Sequence, residues 1–245
     1  MYKSNISVFS PTGNTKKVAS FILDNIKTNT PANLDDLVII GCPIYKGRVP
    51  VDYMNWLETH PFYNKSVIIV ETFGNIHIDD ALIELYDWCT QNNNTVLGVV
   101  AVASPHSYST PQQPIATDRP TNEEWAELKA FALKMVNKID LDVGQTPLAI
   151  PGNHPYRELL PTVAIEPKRD LLKCNDCRKC RRKCSVDNPS ILELDGIEVK
   201  QCLMCGACIK TCPQDALSFT TTPMEPIINH LFTLSKEVQP SLFIS

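Results

Sequence analysis

The chain has 245 residues, with 23 Lys and Arg against 27 Asp and Glu, which gives a formal net charge of −4 at pH 7. This length allows one large or two modest domains, and 43% apolar residues are enough to build a core. The mildly acidic balance argues against a general nucleic-acid binder, and no apolar run is long enough to span a membrane.

Apolar runs and amphipathic runs alternate over the first 140 residues. Continuous apolar runs predict strands at residues 6–9, 37–40, 66–70 and 96–102. Helical spacing predicts helices at residues 15–26, 51–57, from 79 onward and 121–139. Thr121 and Glu124 match a capping box at the start of the last helix. The alternation predicts an α/β doubly wound parallel sheet with helices on both faces.

A polar loop with one glycine follows the first predicted strand. It consists of Ser10, Thr12, Gly13, Asn14 and Thr15 around Pro11, and a predicted helix comes directly after it. Hydroxyl groups, a flexible backbone position and a helix N-terminus together form a cradle for an anion such as a phosphate. The same composition also suits a plain turn with a helix cap, so the sequence leaves both interpretations open.

Two copies of one cysteine pattern, C-x2-C-x2-C-x3-C, occupy the last third of the chain. Their members are Cys174, Cys177, Cys180 and Cys184 in the first run, and Cys202, Cys205, Cys208 and Cys212 in the second. Structural zinc sites use cysteines in separate pairs, and disulfides belong to secreted chains. The pattern therefore favours iron–sulfur clusters over zinc or disulfides.

The spacing resembles that of bacterial two-cluster ferredoxins, in which the fourth thiolate of each run crosses to the other cluster. The resemblance implies two [4Fe–4S] clusters with crossed ligands. One would be held by Cys174, Cys177, Cys180 and Cys212, and the other by Cys202, Cys205, Cys208 and Cys184. The first run departs from the family because Arg178 stands at a usual glycine and Ser185 at a usual proline.

Basic residues surround the cysteines of the first run. They are Lys173, Arg178, Lys179, Arg181, Arg182 and Lys183. Positive charge favours the more negative, reduced state, so we expect the cluster of this run to be the easier to reduce. The basic residues either dock an acidic redox partner or form an ordinary solvated face.

The loop at residues 10–15 also resembles the phosphate loop of flavodoxins, which hold flavin mononucleotide (FMN). Residues 36–45, DLVIIGCPIY, resemble the third flavodoxin strand and its flavin loop. This resemblance covers most of residues 1–140, and residues 151–157 resemble a family linker. Together with the cysteines, it identifies the chain as similar to the flavodoxin–ferredoxin fusion proteins of anaerobes.

The resemblance implies an FMN site built from four loops. Ser10, Thr12, Gly13, Asn14 and Thr15 would hold the phosphate. Pro43, Tyr45, Lys46 and Gly47 would line one side of the flavin ring, with Tyr45 stacked on it. Backbone groups of Thr72, Phe73, Gly74 and Asn75 would face the ring edge, and His106, Ser107 and Tyr108 would close the other side. No residue announces itself as catalytic.

The segment between the first helix and the next strand is too short for the second strand and helix of a flavodoxin. Residues 28–35 leave room for a connection only, so we expect four parallel strands without the edge strand, and weaker FMN binding. The predicted division is a flavodoxin-like domain at 1–141, a Pro-rich linker at 142–170, a small α+β two-cluster ferredoxin domain at 171–222 and a tail at 223–245, which would form a helix on either domain or cover a dimer surface.

These features predict an electron-transfer protein that passes single electrons between FMN, two clusters and an external low-potential partner. By family analogy the partner is a hydrogenase or a 2-oxoacid oxidoreductase. Two alternatives stay open: a flavin-dependent reductase of a small acceptor, and a ferredoxin with a flavin-free docking domain. No export signal is visible after Met1, so we expect a cytoplasmic protein.

Overall fold

A computed structural model describes residues 5–141, 147–160, 165–186, 202–220 and 222–245. Parts of the predicted linker (142–146 and 161–164) and of the predicted cluster domain (187–201 and 221) lie outside the described residues, as does the start of the chain. The elements form a five-stranded sheet flanked by helices and a smaller cysteine-bearing region.

The main sheet has the strand order β1-β2-β3-β4-β7. Its strands are β1 (Ile6–Val8), β2 (Leu37–Pro43), β3 (Ser66–Phe73), β4 (Thr95–Ala103) and β7 (Leu242–Ile244). The first four pair in parallel and leave β1 at one edge, as expected from the missing segment. The expectation of four strands was incomplete, because β7 pairs antiparallel with β4 at the other edge.

Four helices cover the two faces of this sheet. They are α1 (Asn14–Asn29), α2 (Val51–Thr59), α3 (Ala81–Gln91) and α4 (Asn122–Asp140). One apolar cluster packs α1 and α4 on one face, and a second packs α2 and α3 on the other. Strands β2, β3 and β4 are buried on both sides, which explains their unbroken apolar runs. The capping box of Thr121 and Glu124 is present at the start of α4.

The Pro-rich segment lies along helix α3 rather than hanging free. Asp80 accepts hydrogen bonds from the backbone N–H groups of Asn153 (2.8 Å) and Arg157 (2.7 Å). Leu148 and Ile150 pack against the apolar cluster on that face. These contacts make residues 148–157 part of the sheet domain's surface layer.

The cysteine-bearing region contains short elements only. They are β5 (Lys168–Arg169), α5 (Lys179–Lys183), α6 (Ala207–Lys210) and β6 (Leu217–Ser218), with β5 and β6 paired antiparallel. Helix α7 (Glu225–Leu234) follows and leads to β7. None of the helices in the described part of the chain has the length and apolar run needed to cross a bilayer.

Candidate metal centres and the sheet edge beside them

Four cysteines line a cavity of about 340 Å³ that we call the outer cavity. They are Cys174, Cys177, Cys180 and Cys212, and all four are partly exposed. Three come from the first run, whereas Cys212 comes from the second run. Arg169, Arg178 and Lys179 also contribute to the wall.

The remaining four cysteines of the two runs line a second cavity of about 330 Å³, the inner cavity. They are Cys184, Cys202, Cys205 and Cys208, of which Cys202 and Cys208 are buried. Phe219, Pro167 and Gly206 complete much of its wall. The structure thus brings the eight cysteines together in the crossed grouping that the ferredoxin resemblance implies.

The crossing follows from the two short helices. Each begins after a residue in the left-handed conformation, Arg178 (φ 56°) before α5 and Gly206 (φ 67°) before α6. The left-handed residue ends the cysteine loop and turns the chain into the helix. Cys184 and Cys212 follow these helices, so each is carried away from its own loop toward the other cavity.

Two thiols of the inner cavity, those of Cys202 and Cys208, hold their protons in the absence of a metal. Burial raises the pKa of Cys202 to about 11 and that of Cys208 to about 12, and the neighbouring thiols add to both shifts. A bound metal must therefore displace these protons. Among the residues with a described position, no three His, Cys, Asp or Glu side chains are arranged to hold a single metal ion.

The inner cavity lies against the loop that follows β4. A Cβ placed on Gly206 would sit 2.9 Å from the carbonyl oxygen of Ser107, and Lys210 Nζ donates a hydrogen bond to the carbonyl of Ser109. Tyr108 packs edge-on against Phe219, with ring centroids 5.5 Å apart, in an apolar cluster that includes Cys202. Two of the predicted flavin-site residues, Ser107 and Tyr108, therefore contact the cysteine-bearing region directly.

His106 fills the space between this loop and the end of β3. A Cβ on Gly74 would lie 2.0 Å from His106 Cδ2, so Gly74 is required for the close packing of the imidazole. The Tyr108 N–H donates to His106 Nδ1 at 3.1 Å. Burial lowers the pKa of His106 to about 4, and the ammonium group of Lys210 adds to this shift. The imidazole is therefore neutral at physiological pH.

Tyr45 lies on a tight hairpin that is held in place by the ion pair of Arg48 with Glu84. Tyr45 and Arg48 form the closing backbone pair, and Lys46 (φ 55°) and Gly47 (φ 75°) make the turn with positive φ. Arg48 forms a fork with the carboxylate of Glu84, with both N···O distances at 2.7 Å. Burial raises the pKa of the Tyr45 hydroxyl well above its usual value, and the Cys205 thiol contributes next, so the hairpin lies near the inner cavity.

The predicted phosphate loop is open where an anion would bind. Gly13 has φ 94° and precedes α1, it has no side chain to cap the helix itself, and a Cβ on Gly13 would meet nothing within 4 Å. Ser10 Oγ accepts from the N–H of Lys16 at 3.1 Å, and Thr12 is half-buried. Two other predicted residues are already engaged: Asn14 Nδ2 donates to the carbonyl of Pro105, and the hydroxyl groups of Thr15 and Thr72 bond each other at 2.8 Å.

The predicted ring-edge residues have structural partners. The Phe73 side chain lies in the apolar core. Gly47, on the hairpin that carries Tyr45, packs against Asp79. Asn75 is buried, and its Nδ2 donates to the carbonyls of Ser235 (2.9 Å) and Glu237 (3.0 Å). The predicted ring-edge role involves only the backbone groups of residues 72–75. The Asn75 side chain instead anchors the tail. Pro43 ends β2 beside this hairpin.

Arg119 and Ser241 help to fix the tail over this edge, and neither was predicted from the sequence. Arg119 forms an ion pair with Glu124, and Glu124 also accepts a hydrogen bond from Ser241. The N–H of Ala103 at the end of β4 donates to Ser241 Oγ at 3.0 Å. Arg119 and Glu124 are only five positions apart, but both contacts of Ser241 join residues more than 100 positions apart, so no local pattern in the sequence marks them.

The comparisons with known proteins add little to this geometry. No family model matches the chain, and no curated protein matches it. A solved structure described as a flavodoxin from the domain Archaea is similar to part of it, with 15% identity and a TM-score of 0.41. That similarity covers 55% of this chain and 96% of the other.

Proposed function

We propose that this chain is an electron-transfer protein that carries two [4Fe–4S] clusters, one in the outer and one in the inner cavity. The observation that carries the proposal is the sorting of eight cysteines into two groups of four, each around a cavity of nearly the same volume. Thiolates are the ligands that such clusters use, and the donor set of each cavity is complete. When bound, clusters of this class accept and release single electrons.

The protein's contribution is to hold and insulate the two ligand sets. The left-handed turns at Arg178 and Gly206 fix the cysteine loops, and the helices after them exchange the fourth ligands. Buried Phe219 and the half-buried ring of Tyr108 shield the inner cavity from water on the side of the sheet. Backbone N–H groups also point at the sulfurs, as in the 3.4 Å contact from Met204 N to Cys202 Sγ. Such contacts tune reduction potential.

FMN at the carboxyl end of the sheet completes the proposal. The phosphate end fits, since the N-cap of α1 is a glycine without a capping side chain and the space around Gly13 is open. Ser10, Thr12 and Gly13 would hold the phosphate, and Tyr45 and Tyr108 would flank the ring. FMN supplies a group that takes up two electrons and passes them on singly. The Cys205 thiol contributes to the raised pKa of both the Tyr45 and the Tyr108 hydroxyl, so the residues that would flank the ring lie on the side of the inner cavity.

A second candidate is a two-cluster electron carrier whose sheet domain holds no flavin. The packing of His106 on Gly74 and of Ser107 on Gly206 favours it, because side chains already fill part of the sheet edge where the ring would lie. In that case the loops after β3 and β4 serve as the surface against which the cysteine-bearing region packs. The two candidates share the clusters and differ only in the flavin.

One set of measurements tests both candidates. Anaerobically purified full-length protein should contain about eight irons and eight sulfides per chain. One FMN per chain supports the first candidate, and loaded clusters without flavin support the second. Zinc, or fewer than about four irons, contradicts both.

A single substitution sharpens the flavin measurement. Thr12→Glu places a negative charge beside the open first turn of α1 and should weaken FMN binding by tenfold or more, on the order of a lost phosphate contact. Thr12→Gln, with the same length and no charge, is the matched control and should retain flavin. Iron content should be equal in both variants; flavin retained in Thr12→Glu would show that the phosphate loop is assigned wrongly.

A further inference from the structure

The mouth of the outer cavity carries a strong concentration of positive charge. We call residues 168–183 the outer rim: eight of these 16 residues are Lys or Arg, and two are Asp. Lys179, Arg182 and Lys183 are exposed on and around α5. The two acids are paired within the rim, Asp170 with Lys173 at 4.0 Å and Asp176 with Arg178 at 3.5 Å. A local excess of positive charge therefore faces solvent on a chain whose net charge is negative.

Two large apolar side chains lie within this charged surface. Leu172 is 99% exposed and Leu171 is 60% exposed, and both come just before Cys174. Isolated exposed leucines are common, but a pair beside a group of potential metal ligands, surrounded by charge, has the composition of a small protein interface. Contact of the leucines with a partner would provide the apolar centre, and the basic residues would provide the polar margin.

The inner cavity offers no comparable surface. Its wall meets Ser107, Tyr108 and Ser109 of the sheet domain, and two of its cysteines are buried. The outer cavity has four partly exposed cysteines, and the residues that line it all belong to the cysteine-bearing region. A redox partner that docks at the outer rim therefore comes closer to four potential ligands than a partner could come to those of the inner cavity.

We propose that the outer rim is the docking surface for an acidic electron-transfer protein, with Leu171 and Leu172 at its centre and the basic residues steering the partner. This inference rests on the proposed cluster function. An acidic protein is the occupant because it matches the rim's charge and supplies a one-electron acceptor or donor at the cysteines. An anionic lipid surface would match the positive charge and the leucines of the outer rim, but it has no one-electron acceptor or donor.

The experiment uses two forms of one redox probe. Native cytochrome c is basic, whereas succinylated cytochrome c carries the same haem on an acidic surface. Full-length, iron-loaded protein is reduced with dithionite, the excess is removed, and haem reduction is followed by stopped flow. Each transfer oxidises the chain by one electron and reduces one haem iron from ferric to ferrous. At low salt the acidic probe should react about tenfold faster than the basic one, and 0.5 M salt should remove most of this difference.

Charge reversal locates the effect on the molecule. The triple variant Lys179→Glu, Arg182→Glu, Lys183→Glu should remove the preference for the acidic probe. The control variant Lys27→Glu, Lys129→Glu, Lys134→Glu changes the net charge equally on exposed residues of α1 and α4 and should keep the preference. Leu172→Ser should lower the saturating rate or the affinity without changing the salt dependence, because it removes contact and not charge.

The outcomes separate this inference from the proposed function. Protein with about eight irons that reduces both probes equally at low salt, or whose control variant loses the preference as fully as the rim variant, overturns the docking surface and leaves the clusters in place. Salt-sensitive cosedimentation of the wild type, but not of the rim variant, with phosphatidylserine vesicles would assign the rim to a membrane and also overturn it. Absence of iron contradicts the proposed function itself.

Discussion

The inner and outer cavities are built from the same local pattern and differ in what surrounds them. Each is lined by four cysteines, three from one run and one from the other, and their volumes are nearly equal. At equivalent left-handed positions the outer run has Arg178 and the inner run has Gly206. Gly206 touches Ser107 of the sheet domain, whereas Arg178 is exposed. Tertiary contact, and not the cysteine loop itself, explains why only the second run needs a glycine there.

The largest expected effect comes from removing a crossed ligand. Cys212→Ser should empty the outer cavity although Cys212 belongs to the second run, and Cys184→Ser should empty the inner cavity. Each variant should lose about four of about eight irons, since a site deprived of one thiolate binds its cluster much more weakly. Iron analysis combined with alkylation and mass spectrometry of the remaining cysteines measures the outcome.

The alkylation pattern shows whether the fourth cysteine of each run belongs to the other cavity. In Cys212→Ser, Cys174, Cys177 and Cys180 should become reactive while Cys202, Cys205 and Cys208 stay protected. If the cysteines of the second run become reactive instead, the ligands are not crossed and the two cavities are assigned wrongly.

The next effect distinguishes the two left-handed positions. Gly206→Val adds a β-branched side chain at φ 67° and forces it against the Ser107 carbonyl, so it should destabilise the protein by about 3 kcal/mol. Arg178→Gly relieves a non-glycine residue of positive φ at an exposed position and should change the free energy of unfolding by no more than about 1 kcal/mol. Denaturant unfolding of the iron-loaded variants measures both, and equal costs would mean that the inner cavity does not rest on the sheet.

Acid should destabilise the loop after β4 that contacts the inner cavity. The pKa of His106 is lowered to about 4, so the folded protein binds fewer protons than the unfolded chain between pH 6.5 and 4. The stabilisation from the neutral imidazole is complete above pH 6.5 and is lost as the pH falls toward 4, by up to about 3 kcal/mol. Lys210 is the charged group beside it, and Tyr108 faces it from its own loop. His106→Gln should flatten this part of the stability profile; an unchanged profile would exclude His106 as the acid-sensitive group.

The sequence alone predicts what depends on local pattern. The four parallel strands, helices α1 to α4 and the capping box at Thr121 follow from apolar spacing and helix-start residues, and the structure has each of them. The absence of a strand between α1 and β2 also follows, because too few residues separate them. The crossed cysteine grouping was implied by resemblance to a family, and the two cavities group the same residues.

Contacts between distant parts of the chain could not be predicted from the sequence. Strand β7 has only three residues, too few for a periodic signal, and it forms because β4 offers an unpaired edge. Asn75 looked like part of a flavin loop, yet its side chain holds the tail through bonds across 160 residues or more. The seating of Gly206 on Ser107 is likewise invisible to any pattern confined to a few neighbouring positions.

The antiparallel pairing of β7 with β4 has a consequence for how this molecule is divided. The N–H of Ala103 and the hydroxyl of Ser241, which meet beside this pair, are 138 positions apart, and all eight cysteines of the two runs lie between them. The cysteine-bearing region is therefore an insertion within the sheet's chain. A fragment that stops after α4 leaves the β4 edge bare and prone to self-association. Closing so long a loop is slow, so we expect the last strand to dock late in folding.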